Sequence, residues 1–233
     1  MLKVLKKIPW WGWVAGVALF LLQVVLYKGG NLLSEVLGTK AHAWCPKIEA
    51  IDGHMPIIAI FVLIYIFSYI FWVLGPVAVS ITKRSNFINY LIGFIAAYLV
   101  GFIIFIVFPS YMDRAAEGLM NFSSQSGIFY KILGWVYSND GGTTAFNLFP
   151  SYHCLISIYC YLGVRKQPEI SKGFRIYSLI MAILICLSTQ FTRQHYILDL
   201  ISGVGIAIIC YVIVGKLNPG EKIMKRKEAK QRG

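Results

Sequence analysis

"STQFTRQHYILDLISGVGIAIICYVIVGKL" (Ser188–Leu217) poses the problem from which the rest of the chain can be read. Its run from about residue 195 to 215 is apolar and long enough to cross a hydrocarbon core about 30 Å thick. Yet that run opens with His195 and Asp199. Ionisable groups are costly in lipid, so they face a protein interior or a wet cavity, and a function is the default expectation for them.

Five further apolar runs lie at about 9–27, 55–80, 87–108, 151–164 and 176–190. The expected fold is all-α: a polytopic membrane protein with a six-transmembrane-helix bundle, one embedded domain over residues 1–233. The runs at 151–164 and 176–190 are short for a bilayer, so they extend into their flanks or sit against a thinned, wet centre. The first run is long, carries a Trp cluster at its start and has no small-residue cleavage site after it, which reads as an uncleaved membrane helix. Residues 217–233 read as a basic cytoplasmic tail, unstructured and close to anionic lipid.

The chain has 233 residues, is 58% hydrophobic and has a mean hydropathy of +0.67, which excludes an ordinary soluble domain. Lys and Arg number 22 against 10 Asp and Glu, a net charge of +12. With this hydropathy, the excess points to membrane orientation and anionic headgroups rather than to nucleic acid. The five cysteines, Cys45, Cys154, Cys160, Cys186 and Cys210, have no metal spacing and suggest no disulfide framework.

Sixteen of the 22 basic residues fall before the first run, between the second and third, between the fourth and fifth, or in the tail. The positive-inside rule therefore expects both termini in the cytoplasm of a multi-pass cell-membrane protein. It expects "FNLFPSYH" (Phe146–His153) and "TRQHYILD" (Thr192–Asp199) at the extracytoplasmic face, where their histidines can meet. Two segments on that side, Asn31–Trp44 and Ser126–Asp140, have apolar spacing suited to amphipathic helices. They either lie in the interface or form a packed cap; periodicity does not separate the two.

His195 and Asp199 are four apart, a spacing that puts both on one face of a helix. A carboxylate there can hold one imidazole nitrogen and leave the other as nucleophile or base; a structural polar pair is the plainer alternative. In "NLFPSYH", Pro150 suits a first helical turn, and Ser151 or Asn147 can satisfy free amides. A helix N-terminus attracts anions, and His153 one turn in could protonate a leaving oxygen. An ordinary helix start is the alternative. Arg114, in "FPSYMDRAAE", and Arg193 suit a bidentate grip on phosphate, or snorkel at a helix end.

Taken together, "FPSYMDR" (Phe108–Arg114), "PSYH" (Pro150–His153) and "STQFTRQHYILD" (Ser188–Asp199) resemble the three motifs of the type 2 phosphatidic acid phosphatase superfamily, which shares its active-site plan with vanadium-dependent haloperoxidases. The likeness spreads over about residues 50–215. Four positions depart from it: Val107 stands where the first motif has Lys, Ala115 replaces its final Pro, Tyr152 replaces Gly, and Thr189 stands where the third motif has Arg. With "IDGHMPII" (Ile51–Ile58), the pattern looks closer to the branch that includes inositol phosphorylceramide synthases.

The resemblance implies that His195, oriented by Asp199, attacks phosphorus to give a phosphohistidine. It implies that His153 protonates the leaving group and then activates the incoming water or alcohol. Arg114, Arg193 and amides near Ser151 would stabilise the equatorial oxygens. No metal or other cofactor is expected. Asp52, His54, Tyr152 and Asn147 are candidates for the substrate entrance, although a helix-start interface also accounts for Asp52 and His54. Asn139 and Asp140 read as a turn, with Asp140 as an acceptor-hydroxyl contact the minor alternative.

The expected function is a lipid phosphate phosphatase acting on a phospholipid or polyprenyl (di)phosphate at the outer face. Its partners are the bilayer and the lipid substrate, with no nucleic acid. The rivals are a phosphotransferase passing a phospho-headgroup to an alcohol, and a non-catalytic lipid-binding or transport protein.

Overall fold

The computed structural model describes residues 8–120 and 127–232. Lys3, Lys6 and Lys7 of the orientation argument, and Ser126, lie outside them. The elements in order are α1 (Trp10–Val36), a 3-10 turn (Thr39–His42), α2 (Glu49–Asp52), α3 (Phe61–Val79), α4 (Arg84–Val107), β1 (Tyr111–Asp113), α5 (Ile128–Asn139), β2 (Thr144–Phe146), α6 (Tyr152–Val164), α7 (Lys172–Phe191), α8 (Ile197–Leu217) and α9 (Pro219–Arg232).

Among the described residues, five helices are long and apolar enough to cross a membrane: α1, α3, α4, α7 and the one that begins at Ile197. Their outward faces stay apolar, with Val14, Leu21 and Val25 on α1, Ile103 on α4 and Ile209 on α8 all exposed. Water would penalise such a surface, whereas lipid does not. The chain is a multi-pass membrane protein.

α6 sits inside this ring, and none of its 13 residues is exposed. It packs on α3, α7 and α8. Trp72 Nε1 donates to Ser157 Oγ at 2.9 Å across the α3–α6 contact. Phe94, Phe105, Tyr152, Leu155 and Ile185 fill the surrounding core. A second cluster, including Met112, Leu133, Tyr137, Leu148 and Tyr196, closes one end of the bundle.

Several expectations change at this level. Asn31–Trp44 is not a separate amphipathic helix: its first part continues α1 and its second is the 3-10 turn. The described part of Ser126–Asp140 is a helix, and Leu133, Val136 and Tyr137 are buried beneath it, so it caps the bundle. The described part of the tail is not unstructured, because α9 occupies Pro219–Arg232. It is fastened by Asn89, which accepts from the Gly220 amide at 2.7 Å and donates to Asn218 Oδ1 at 2.7 Å. The fold is also not purely helical. β1 and β2 pair antiparallel in the register Tyr111↔Phe146, Met112↔Ala145 and Asp113↔Thr144.

Candidate active site

The ladder is what fixes the segment leading into α6. Ser110 Oγ accepts from the amides of Leu148 (3.1 Å) and Phe149 (2.8 Å). Asn147 adopts φ 59°, a left-handed conformation that Asn tolerates. Pro150 lies before the helix rather than in its first turn; Ser151 is the N-cap, its hydroxyl accepting from the Cys154 amide. The Ser151 amide in turn donates to the Asp199 carbonyl at 2.9 Å, tying the start of α6 to the start of α8. Gly203 permits this closeness: a Cβ there would lie 2.4 Å from the Ser151 carbonyl oxygen.

His195 and Asp199 do not share a helix face as the spacing suggested. α8 begins at Ile197, so His195 lies in the preceding turn, and Asp199 sits in the helix's first turn. They still meet. Asp199 Oδ2 is 3.4 Å from His195 Nδ1 and accepts from the Tyr196 amide at 2.8 Å. Oδ1 of the same carboxylate is buried without a partner among the described residues. The His195 and Gln194 amides both donate to the Thr189 carbonyl, which closes the turn.

His153 projects from the first turn of α6 towards the same place; its ring centroid is 6.0 Å from that of His195. It stacks on Tyr65 at 4.1 Å and meets Trp72 edge-on at 4.8 Å. Its Nε2 has no partner among the described residues. Both histidines line one cavity of about 430 Å³, together with Tyr152, Asn147, Gln194 and Asp140.

Arg114 reaches this region but is committed. It is fully buried, and its Nη2 donates to Asp140 Oδ2 (2.9 Å) and Gln194 Oε1 (2.7 Å). Its Nη1 donates to the Asp140 carbonyl. Arg114 is not among the residues that line the cavity, whereas its partners Asp140 and Gln194 are.

Other candidates fall elsewhere. Arg193 does not stand in for the motif arginine in the cavity: it donates to the Met55 carbonyl (2.9 Å) and Glu117 Oε2 (2.8 Å). Glu117 also pairs with Lys47 at 2.8 Å, and hydrogen bonds to Glu117 and Glu49 raise the Lys47 ammonium above its ordinary value. Asp52 is buried structure rather than entrance, its two oxygens accepting from the amides of Ile48 (2.6 Å) and Ile197 (2.9 Å). His54 is exposed and outside the cavity lining. Tyr152 is among the lining residues, and its hydroxyl donates to the Tyr98 carbonyl at 2.7 Å. Thr189 is buried, donating to the Cys186 carbonyl.

Sequence reasoning missed the aromatic wall, Tyr65, Tyr69 and Trp72, although its spacing along α3 marks one helix face. It also missed Gln23, Tyr27 and Lys28 of α1, which line the cavity. Polar side chains inside an otherwise apolar run were their signal. Among the described residues no group of three His, Cys, Asp or Glu side chains is arranged to hold a metal ion.

The PAP2 superfamily model matches residues 33–213, and the chain belongs to that superfamily. It is also similar to a PA-phosphatase related-family protein of Dictyostelium discoideum, with 27% identity over 135 residues, 57% of this chain. That stretch covers 24% of the Dictyostelium protein. No solved structure matches.

Proposed function

We propose that this member of the PAP2 superfamily is an integral membrane lipid phosphate phosphatase that works through a phosphohistidine. The observation that carries the reading is the convergence of His153 and His195 at 6.0 Å on one cavity, with Asp199 on the far side of the His195 ring. His195 Nε2 attacks phosphorus and an N–P bond forms as the P–O bond to the lipid breaks. His153 Nε2 gives its proton to the departing oxygen, then takes one from the water that cleaves the N–P bond. Asp199 holds Nδ1–H, which fixes the tautomer and steadies the charge that develops on the ring. Phosphoryl transfer depends largely on positioning and charge, so such a site requires little else. The reaction needs no metal.

Six membrane helices, with both termini cytoplasmic and the cavity opening outward, belong to the same proposal. α6 is about 20 Å long at 1.5 Å per residue, shorter than the hydrocarbon core. Enclosed by the other helices, it need not match lipid thickness. The substrates are lipids with a phosphate or diphosphate headgroup, such as phosphatidic acid, phosphatidylglycerol phosphate or a polyprenyl diphosphate.

Asp140 supports a second reading. A carboxylate in the cavity can accept a hydrogen bond from an alcohol, as a phosphotransferase would require. Purified protein with a panel of lipid phosphates in EDTA distinguishes them. Free phosphate, abolished by His195→Ala and by His153→Ala, is the expected result. A new phospholipid in place of free phosphate would establish the transferase. A biological activity untouched by His195→Ala would establish a non-catalytic role.

A further inference from the structure

The chain lacks two cations that the family pattern would supply, since Val107 and Thr189 stand in their places. Arg114 is buried behind a carboxylate, and Arg193 is paired with Glu117. Among the described lining residues Lys28 is the Lys or Arg side chain that remains, and it forms no ion pair with another described residue. It comes from α1, whose residues before 33 lie outside the family match.

A continuous hydrogen-bonded chain joins that part of α1 to the histidine turn. Tyr27, next to Lys28, donates its hydroxyl to Asp140 Oδ1 at 3.0 Å. Asp140 Oδ2 accepts from Arg114, and Arg114 donates to Gln194 Oε1, adjacent to His195. This last bond fixes the amide's orientation, because an amide oxygen accepts and its nitrogen donates. Gln194 Nε2 is therefore the free end: it is buried and has no partner among the described residues, and Gln194 is one of the residues that line the cavity. A buried donor left unpaired is costly, and a ligand oxygen would satisfy it.

We infer that Lys28 and Gln194 Nε2 are the phosphate-binding pair of this cavity, replacing the cations missing at positions 107 and 189. Lys28 supplies the charge from the first helix; Gln194, held by Arg114, supplies a neutral, directed hydrogen bond. Arg114 is a positioning residue that acts through Gln194. The ligand is a phosphate group, whether lipid-borne or free. The lipid arm of this inference rests on the phosphatase reading; the binding arm does not.

The test uses purified full-length protein in detergent, with two probes. Calorimetry with inorganic phosphate measures binding without turnover, and phosphatidic acid in mixed micelles gives kcat and KM. Lys28→Gln should weaken phosphate binding about tenfold and raise KM about tenfold, with kcat within about threefold; that is the scale of one charge-assisted hydrogen bond. Lys28→Arg should restore both. Gln194→Leu should weaken phosphate binding and lower kcat as well, and its unfolding temperature must stay near wild type for the result to count in support. Unchanged phosphate affinity in Lys28→Gln, with the fold intact, overturns the inference even if the lipid is hydrolysed. If no lipid is hydrolysed by the wild type but phosphate affinity still falls in Lys28→Gln and returns in Lys28→Arg, the binding pair stands and the phosphatase reading fails.

Discussion

Asp199 offers a sharp test of the proposed chemistry, because one of its oxygens serves two groups. Oδ2 accepts from both the Tyr196 amide and the His195 ring, while Oδ1 has no partner among the described residues. Asp199→Asn can place its amide oxygen where Oδ2 was, keeping both acceptor contacts and removing the charge. A hydrogen bond to a charged group contributes about 1.5–3 kcal/mol net, against about 1 kcal/mol for a neutral one. The difference of about 0.5–2 kcal/mol corresponds to a loss of about 2–30-fold in rate. Asp199→Ala removes the acceptor entirely and frees the ring, so the expected loss is on the order of 10²–10³-fold. Alanine also uncaps the start of α8 at a cost of about 0.5–2 kcal/mol, which asparagine does not. Phosphate release from phosphatidic acid, measured beside thermal unfolding in detergent, should rank wild type above Asp199→Asn above Asp199→Ala. Equal losses in the two variants, or an Asp199→Ala protein within threefold of wild type, would refute the idea that this carboxylate steers the imidazole.

Three further outcomes follow from contacts described above. Arg114→Ala should lower stability by about 2–4 kcal/mol, since it strands Asp140 and Gln194; a chemical unfolding curve in detergent measures this. Gly203→Ala should cost about 1–3 kcal/mol and most of the activity by pushing against the Ser151 carbonyl, whereas Gly205→Ala, with nothing within 4 Å of its Cβ, should be silent in the same assays. Cys45 is exposed at the cavity end, so a membrane-impermeant maleimide should label it in intact cells and fail to label Cys45→Ser; labelling only after permeabilisation would reverse the proposed orientation.

The membrane class, most helices and the pairing of His195 with Asp199 were legible because they depend on local composition and short spacing. What was not legible depends on distant partners. Arg114 looked free for phosphate, but its counter-charge, Asp140, is 26 residues away, and Gln194 is 80 residues away. Arg193 was similarly indistinguishable from a site residue until Glu117 stood beside it. The β1–β2 pair escaped notice because three-residue strands carry almost no periodicity. The α9 helix escaped because its polar sequence is held at its start by Asn89, on another helix. The local rule also erred once: four-residue spacing suggested a shared helical face, whereas α8 starts two residues after His195.

The enclosure of α6 bears on how the protein would respond to different hosts. Hydrophobic mismatch acts on helices that touch acyl chains, which adjust by tilting. Here α1 and α4, with 27 and 24 residues, have the length to tilt. The helix that carries His153 has no exposed residue, so thin and thick bilayers should leave the spacing of the two imidazoles much the same.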